Sequence, residues 1–283
     1  MTRFVEPLTI EEACSALAAD PWGAKALAGG TALVLMMRQG LVNPKTLVSL
    51  GALQHLRGIE AEDGFIRIGA RTTLNEVAVS PIVSALSPSL AAACSLVGNI
   101  RIRNLATLGG NLAEADYASD PPSVLVGMDA TCIVQGSSAQ RIVPVGELIT
   151  GFYSTSLAPD EIITAVLLPV AGDAHRRSSY KKYVSRSSED RPCVGVAVMA
   201  DFNAGVVAHL SVVVGAVAEV PQRFDELVTP AIGRPLDQQT VSEIAGAYAA
   251  AIDPMEDARG SAWYRRQVTE VFIRRALEEV ASP

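Results

Sequence analysis

The 283-residue sequence predicts an α+β fold, and two features of the chain support this prediction. Before Pro169, strand candidates alternate with helices whose starts carry capping residues. After it the order changes, because three strand candidates follow one another and two helices close the chain. Successive strands followed by helices are typical of an α+β domain with one antiparallel sheet. We therefore predict a domain boundary within residues 169–174.

Capping residues locate three helix starts in the first domain. Thr9 can accept from the Glu12 amide while Glu12 reaches back, which is a capping box. Thr73 and Glu76 form a second such box. Asp120, followed by proline, marks a third start with aspartate at the N-cap.

Hydrophobic patterning supplies the other elements of the first domain. An apolar run over residues 32–37 predicts a helix that stops at Gly40. Apolar residues at helical spacing predict another helix over residues 81–97. The predicted strands are residues 25–28, 46–50, 65–70, 131–135, 140–143 and 162–168.

The second domain is predicted as a three-stranded antiparallel sheet with two helices. Asn203-Ala204-Gly205 joins the last two strands as a hairpin, and Ser261 caps the last helix. The predicted strands are residues 179–184, 194–202 and 206–214, and the predicted helices are residues 240–252 and 262–280.

Composition argues against several classes of protein. The 23 basic and 30 acidic residues leave a net charge of −7, whereas nucleic-acid binding needs a basic face. No segment approaches the roughly 20 apolar residues of a bilayer span, so no stable membrane insertion is expected. The N-terminal segment has early glutamates and lacks the apolar core of a secretory signal, so the cytoplasm is the expected location.

The cysteines and histidines are too scattered to suggest a metal site. Iron–sulfur clusters and structural zinc sites use clustered cysteines, but the chain has no CxxC pair and no HExxH motif. We interpret the cysteines as small buried apolar residues. The residues concerned are Cys14, Cys94, Cys132, Cys193, His55, His175 and His209.

A first glycine pair, Gly29-Gly30, lies between a predicted strand and a predicted helix. Glycines let backbone amides approach a ligand closely, and the helix start adds partial positive charge. The loop from Ala28 to Thr31 could therefore hold a pyrophosphate with little help from basic side chains. The alternative is a tight turn that needs positive φ.

A second glycine pair lies in Thr107-Leu108-Gly109-Gly110-Asn111. Thr107 and Asn111 offer a hydroxyl and an amide to phosphate or ribose. Asp120 could accept from a ribitol or a ring N–H, or it could simply cap its helix. Neither glycine loop matches GxGxxG or GxxxxGK[ST], so the Rossmann and P-loop fingerprints are lacking.

Together these segments resemble the FAD-binding medium subunit of molybdenum hydroxylases, a family that includes the carbon monoxide dehydrogenase medium subunit and the xanthine dehydrogenase flavin domain. AGGT at residues 28–31 and TLGGN at residues 107–111 are similar to its two glycine loops. The resemblance covers nearly the whole chain in the right order. Further similar segments are Asn43-Pro44 with residues 47–50, Gly151-Phe152-Tyr153, residues 161–163 with Pro169, Tyr180-Lys181-Lys182 with Arg186, residues 260–265 and residues 274–277.

The resemblance implies a vanillyl-alcohol-oxidase (PCMH)-type FAD-binding domain over residues 1–172, followed by a smaller C-terminal domain of the CO dehydrogenase flavoprotein type over residues 173–283. The first domain would consist of subdomains of about residues 1–54 and 55–172. The first loop would wrap the pyrophosphate, and the second loop would supply a second set of amides.

The resemblance also implies individual cofactor contacts. Asp120 would contact the flavin, Ile163 would pack near the adenine or ring system, and Lys182 would lie close to the isoalloxazine. The implied cofactor-binding residues are Lys25, Ala26, Leu27, Ala28, Gly29, Gly30, Thr31, Ala32, Leu33, Val97, Thr107, Leu108, Gly109, Gly110, Asn111, Asp120, Ile163 and Lys182.

One position departs from the family. Ala32 stands where the family often has serine, aspartate or another polar residue, so one side-chain contact to FAD is missing while the backbone amides remain. No histidine or cysteine lies in the first glycine loop, where related folds attach flavin covalently. We therefore predict retained, noncovalent FAD.

The function implied by the resemblance is an electron relay. A large molybdopterin subunit would oxidise the substrate with water as the oxygen donor, and a small subunit with [2Fe–2S] clusters would carry electrons singly. FAD in this chain would collect them and pass them to oxygen, a quinone, NAD or a carrier protein. The assembly would be a dimer of heterotrimers. No residue of this chain would need to act as a general acid, base or nucleophile.

Two other functions stay open. A stand-alone flavoenzyme of the UDP-N-acetylenolpyruvylglucosamine reductase type shares the fold, but its glycine motifs differ from TLGGN. The second alternative function is a non-catalytic scaffold that has lost FAD, and Ala32 is the feature that favours it. The polar segment of residues 186–191 could gate access of the electron acceptor or form a solvated loop.

Overall fold

Three larger sheets and the helices around them make up the molecule, described here from a computed structural model over residues 2–62, 64–170 and 176–282. The strands are β1 (Arg3–Val5), β2 (Ala24–Leu27), β3 (Thr46–Ser49), β4 (Ile59–Glu62), β5 (Phe65–Gly69), β6 (Thr131–Gln135), β7 (Gln140–Pro144), β8 (Ile149–Gly151), β9 (Ser154–Thr155), β10 (Ile162–Pro169), β11 (Arg177–Tyr183), β12 (Val194–Asn203), β13 (Val206–Gly215) and β14 (Gln222–Arg223). The helices are α1 (Ile10–Ala18), α2 (Leu33–Arg38), α3 (Leu74–Val79), α4 (Pro81–Leu86), α5 (Pro88–Ser95), α6 (Ile100–Arg103), α7 (Leu108–Glu114), α8 (Pro121–Gly127), α9 (Val145–Leu148), α10 (Asp225–Val228), α11 (Gln238–Ala251) and α12 (Ala262–Ala281).

The first sheet is parallel, with the strand order β1-β3-β2. Because parallel strands need crossover connections, α1 links β1 to β2 and α2 links β2 to β3. The predicted cap is confirmed at Thr9, which accepts from the Glu12 amide, although Glu12 accepts from the Leu8 amide and not from Thr9. Residues 28–32 follow β2, so they emerge at the carboxyl end of parallel strands, where ligands commonly bind.

The second sheet is antiparallel, with the order β4-β5-β10-β6-β7. Its central strand is β10, which pairs with both β5 and β6. Residues of α3, α5, α7 and α8 share one apolar core with this sheet, and the predicted capping box of Thr73 and Glu76 is confirmed. Gly109 in α7 packs so tightly that a Cβ there would lie 2.5 Å from the Ala70 Cβ. The second glycine pair is therefore fixed at the end of β5.

The helix predicted over residues 81–97 consists of two helices, α4 and α5. The break falls at Ser87 because Pro88 has no amide proton to continue α4, whereas proline suits the first position of a new helix. Ser80 caps α4 by accepting from the Val83 amide. Apolar spacing alone did not reveal the break, because it continues across Ser87.

The third sheet is antiparallel, with the order β11-β12-β13-β14. The predicted hairpin is confirmed, with φ of 49° at Ala204 and 82° at Gly205. The two-residue strand β14 extends the three strands that we predicted, and α11 and α12 share a core with the sheet. Ser261 caps α12 by accepting from the Tyr264 amide, as predicted. The predicted boundary between residues 172 and 173 lies outside the described residues.

The four cysteines are buried and unpaired, which confirms their interpretation as small buried residues. Cys14 lies in the core of the first sheet, while Cys94 and Cys132 lie in the core of the second. Burial raises the pKa of Cys132 to about 12, so its thiol stays protonated. None of the helices in the described ranges is both long and apolar enough to cross a bilayer.

A charge network connects the C-terminal domain to the first domain. Arg265 of α12 is fully buried; it donates to the Ala216 carbonyl and lies 2.5 Å from the Asp257 carboxylate. Asp257 also accepts at 3.0 Å from the hydroxyl of Tyr117, which follows α7. Burial alone would raise the pKa of Asp257, but bonds from the Arg259 amide and the Arg265 guanidinium outweigh it and lower this pKa to about 2. The ionised Asp257 therefore links Arg265 of the C-terminal domain to Tyr117 of the first domain.

We predict that Asp257→Asn lowers the free energy of unfolding by about 3 kcal/mol, because it leaves the buried Arg265 guanidinium without a counter-charge. The control is Asp253→Asn, whose carboxylate is exposed and lies 3.5 Å from Arg266; this variant should unfold like the wild type. Urea unfolding followed by circular dichroism measures both variants. Equal stability of D257N and the wild type would contradict a stabilising role for the network.

Candidate functional site

The two glycine pairs singled out in the sequence lie against each other. Gly29 packs on the chain just before the second pair, and a Cβ on Gly29 would overlap the Leu105 carbonyl oxygen. A Cβ on Gly110 would lie 4.0 Å from the Ala28 Cβ. We call this meeting of residues 28–33 with residues 105–111 the glycine junction. It brings together two loops that are far apart in sequence.

The first loop presents backbone amides that the protein leaves unused. Among the described residues, none accepts a hydrogen bond from the amides of Gly29 through Leu33. Ala32 occupies the N-cap position of α2 and has no side-chain oxygen to cap them. Free donors at the positive end of a helix form a site for an anion.

The two glycines of the first loop serve different purposes. Gly30 has a φ of 70°, the left-handed conformation that glycine adopts readily, so the tight-turn alternative holds for this residue. Gly29 lacks a Cβ because the Leu105 carbonyl occupies that space. The missing Cβ of Gly29 therefore makes room for another part of the protein, and the contact of its amide with the cofactor stays a prediction.

The amides of the second loop are already engaged within the protein. The role of this loop as a second set of amides for the cofactor stays a prediction; contacts with the end of β5 and the cap of α7 already use these amides within the protein. The loop still offers the side chain of Asn111, whose oxygen accepts from the Ser119 hydroxyl at 2.9 Å. The amide bonds run from Leu108 to the Thr72 carbonyl, from Gly109 to the Ala70 carbonyl, from Gly110 to the Thr107 hydroxyl and from Asn111 to the Thr107 carbonyl.

A buried ionisable cluster joins α8 to the C-terminal sheet. Asp120 is 2% exposed; one carboxylate oxygen accepts from the Tyr180 hydroxyl at 2.7 Å and the other from the Lys182 ammonium at 3.0 Å. Lys182 also donates to the Leu96 carbonyl at 2.7 Å. The alternative that Asp120 caps its helix is wrong, because its side chain makes no capping bond to α8.

Burial governs the titration of this cluster. It raises the pKa of Asp120 to about 6, against the opposing attraction of the Lys182 ammonium and the hydrogen bond from Tyr180. Burial and the nearby Asp120 carboxylate raise the pKa of Tyr180 well above its ordinary value. Because both oxygens of Asp120 are occupied, the carboxylate holds Tyr180 and Lys182 in fixed positions near the Leu96 carbonyl.

Most of the predicted cofactor residues form two groups in the structure, and the other two, Ile163 and Val97, lie outside both groups. Residues 25–33 and 107–111 lead into or form the glycine junction, while Asp120 and Lys182 form the buried cluster. Ile163 pairs with Val134 in the second sheet and is buried in its core. The carbonyl of Val97 accepts from Arg103 at 3.2 Å. Cofactor contacts of Ile163 and Val97 stay predictions.

Three residues around the site are not among the predicted cofactor-binding residues. Leu105 contacts Gly29 through its backbone, which leaves no signal in the side-chain pattern. Tyr180 could have been found, because it lies two residues before Lys182 on one strand and shares its face. Arg191 pairs at 2.8 Å with Asp116, which follows α7. The segment of residues 186–191 is exposed, as expected for a solvated loop. The pair of Arg191 and Asp116 places the end of this segment beside the chain that follows α7.

The glycine junction fits the diphosphate of an extended dinucleotide. Its donors are neutral amides at a helix start, so they can stabilise phosphate charge through hydrogen bonds in an acidic chain without basic side chains. Gly110 is exposed and lies opposite Ala28 across the same junction.

Two protein-family models match the chain. The FAD-binding domain in molybdopterin dehydrogenase matches residues 1–171. The CO dehydrogenase flavoprotein C-terminal domain matches residues 178–280. The two matched segments follow one another in the order that the resemblance implied.

Known proteins resemble the chain over nearly its full length. The glyceraldehyde dehydrogenase medium chain of Sulfolobus acidocaldarius is 30% identical over 98% of this chain and 98% of its own length. The nicotine 6-hydroxylase medium subunit of Paenarthrobacter nicotinovorans is 31% identical over 99% of this chain and 97% of its own. A chain of carbon monoxide dehydrogenase from Hydrogenophaga pseudoflava, solved without the Mo-pyranopterin moiety of its molybdenum cofactor, superposes with a TM-score of 0.94 at 30% identity, covering 99% of this chain and 96% of that chain. These similarities confirm the predicted fold.

We predict a pH-dependent contribution of Asp120 to stability. The folded-state pKa of Asp120, about 6, lies above the ordinary value of 3.8. Between these pH values the carboxyl group is therefore mostly protonated in the folded chain and mostly ionised in the unfolded chain. The contribution is present below pH 4 and is lost as the pH rises through 6, by on the order of 3 kcal/mol. Denaturant unfolding of the full chain between pH 4 and 7.5 should show this fall for the wild type and its absence for Asp120→Asn. Parallel pH profiles of both proteins would contradict the raised pKa.

Proposed function

The chain belongs to the family of FAD-binding subunits of molybdopterin dehydrogenases, and we propose that it is the electron-transfer subunit of a molybdenum hydroxylase complex. Electrons would enter from the [2Fe–2S] clusters of a small subunit, and a large molybdopterin subunit would oxidise the substrate. A terminal acceptor would then take the electrons from this chain. The three chains would assemble as a dimer of heterotrimers.

The free amides of Gly29 through Leu33 are the observation that carries this proposal. They lie at the start of α2, next to the second glycine loop, and they are the donors that a cofactor diphosphate needs. The relatives support the need for partners, because they are named as a medium chain and a medium subunit and match this chain end to end.

FAD bound at the junction supplies the redox chemistry, since it can take electrons singly and release them in pairs. The residues of this chain bind and orient it. Residues 25–33 would hold the diphosphate through amides, and residues 107–111 would form the opposite wall. Asp120 would keep the Lys182 ammonium fixed on the flavin side of the site, with Val97 and Ile163 as apolar contacts.

The same observations bear on the other two functions. A stand-alone reductase does not account for the C-terminal domain, which matches the CO dehydrogenase flavoprotein type over residues 178–280. A scaffold without FAD does not account for the uncapped amides, because Ala32 leaves them available and does not block them. The missing polar side chain at Ala32 therefore weakens one contact and leaves the main anchor intact.

Co-purification tests the proposed function. The chain should be expressed with the neighbouring reading frames of its own genome, and the purified material assayed for FAD, molybdopterin and iron. We expect all three in one complex, with FAD assigned to this chain. A chain that turns over a substrate at full rate alone, and binds no molybdenum or iron–sulfur subunit, would contradict the relay.

We predict that Gly110→Val lowers FAD affinity at least about tenfold, equivalent to about 1.4 kcal/mol. The new Cβ would lie 2.8 Å from the Thr107 hydroxyl oxygen, and its methyl groups would fill the space opposite Ala28. The control is Gly246→Val in α11, where a Cβ meets no atom within 4 Å. FAD released by acid and quantified by fluorescence gives the occupancy of each variant. Unchanged occupancy in a folded G110V protein would rule out this placement of the cofactor.

A further inference from the structure

One carboxylate beside the glycine junction has no partner in the described part of the protein. Glu114 is the last residue of α7 and is half-buried. Within residues 2–62, 64–170 and 176–282, its carboxylate takes part in no hydrogen bond and no ion pair. Asp116, two residues further on, accepts instead from the Ala118 amide at 3.1 Å and pairs with Arg191 at 2.8 Å. Glu114 therefore keeps its capacity to accept hydrogen bonds from a ligand.

The position of Glu114 in α7 places it on the side of the helix that borders the glycine junction. At 3.6 residues per turn, Gly110, Asn111 and Glu114 share one face of the helix. Leu112 on the opposite face is fully buried. Gly110 lies opposite Ala28 across the junction, where a Cβ on Gly110 would be 4.0 Å from the Ala28 Cβ. Glu114 thus lies about one helical turn beyond the predicted diphosphate position, on the same face.

Stability alone does not favour a carboxylate at this position. Negative charge at the last residue of a helix opposes the helix dipole. Burial and the nearby Asp116 carboxylate raise the pKa of Glu114. The cations of Arg191 and Lys25 oppose this shift but do not cancel it. An ionisable group held where its charge is unfavourable is typical of a functional site.

The surroundings of α7 indicate which part of the cofactor Glu114 faces. The oxygen of Asn111 accepts from the Ser119 hydroxyl at 2.9 Å, and Ser119 directly precedes Asp120 of the buried cluster. The free face of α7 therefore leads from the glycine junction toward the predicted flavin side. In FAD a ribitol chain connects the diphosphate to the flavin ring. A carboxylate repels phosphate but accepts readily from hydroxyl groups, so the chemistry of Glu114 matches the ribitol.

We propose that Glu114 binds the ribitol of FAD by accepting hydrogen bonds from its hydroxyl groups, an inference that rests on the proposed function. A charged acceptor makes stronger hydrogen bonds than a neutral one. Ser119 occupies the side-chain oxygen of Asn111, which leaves the amide nitrogen of Asn111 to donate to the same chain of hydroxyls. Because its charge repels a phosphate, Glu114 makes this position selective for a polyol next to the diphosphate.

The experiment measures the affinity of the full chain for FAD and for two analogues. Glu114→Ala removes the acceptor, whereas Glu114→Gln keeps an acceptor oxygen and removes the charge. The control is Glu147→Ala, which removes an exposed glutamate of α9. One analogue lacks the hydroxyl groups of the ribitol, and the other lacks those of the adenosine ribose. Fluorescence titration of each flavin-free protein gives the dissociation constants, and circular dichroism checks that the variants are folded.

We expect Glu114→Ala to bind FAD at least about tenfold more weakly than the wild type, and Glu114→Gln about threefold more weakly. Loss of the ribitol hydroxyls should weaken binding to the wild type at least about tenfold. It should leave binding to Glu114→Ala nearly unchanged, because that variant has already lost the contact. The control should bind all three ligands like the wild type.

Three results would overturn the role of Glu114: equal losses from the ribitol analogue in the wild type and the variants, coupling to the adenosine ribose instead, or an equally weakened control. If Glu114→Ala does not fold, the same comparison of ligands with Glu114→Gln decides. A wild-type chain that binds no FAD would overturn the proposed function itself, whereas tight FAD binding that is unaffected by either Glu114 variant would overturn this inference alone.

Discussion

The contact between Gly29 and the Leu105 carbonyl is the constraint on which the site depends. It places the loop after β2 against the chain that leads into α7, and no side chain fits between them. Gly109 makes a similar close contact, because a Cβ on it would overlap Ala70 after the end of β5. These two contacts place the loop after β2 and the start of α7 next to each other, and the uncapped start of α2 belongs to the junction they form.

Charge is distributed so that the acidic chain can hold an anionic cofactor. The junction offers neutral amides without acceptors in the described protein, and such amides need no counter-ion. The ionised side chains of the interior are paired instead with each other, as Asp120 with Lys182 and Asp257 with Arg265. The pair of Asp120 and Lys182 crosses between the predicted domains. The pair of Asp257 and Arg265 lies within the C-terminal domain, and Asp257 reaches the first domain through the Tyr117 hydroxyl.

Local features were predictable from the sequence, whereas contacts between distant segments were not. The caps at Thr9 and Thr73 and the hairpin at Ala204 follow rules that act within a few residues, and all three are confirmed. The two glycine loops were recognised by their family motifs. Their meeting was not predicted, because Gly29 contacts Leu105 through backbone atoms that every residue type shares. The bonds from the amides of Leu108 and Gly109 likewise depend on the position of the chain that follows β5, which the loop's own sequence does not contain.

Amide hydrogen exchange with and without FAD tests whether the start of α2 anchors the cofactor, since it reports each loop separately. We expect strong new protection at the amides of Gly29 through Leu33, which have no acceptor within the described protein. We expect little change at Leu108 through Asn111, whose amides are already bonded. Protection that appears in the second loop alone, with the first loop unchanged, would contradict the claim that the start of α2 anchors the cofactor.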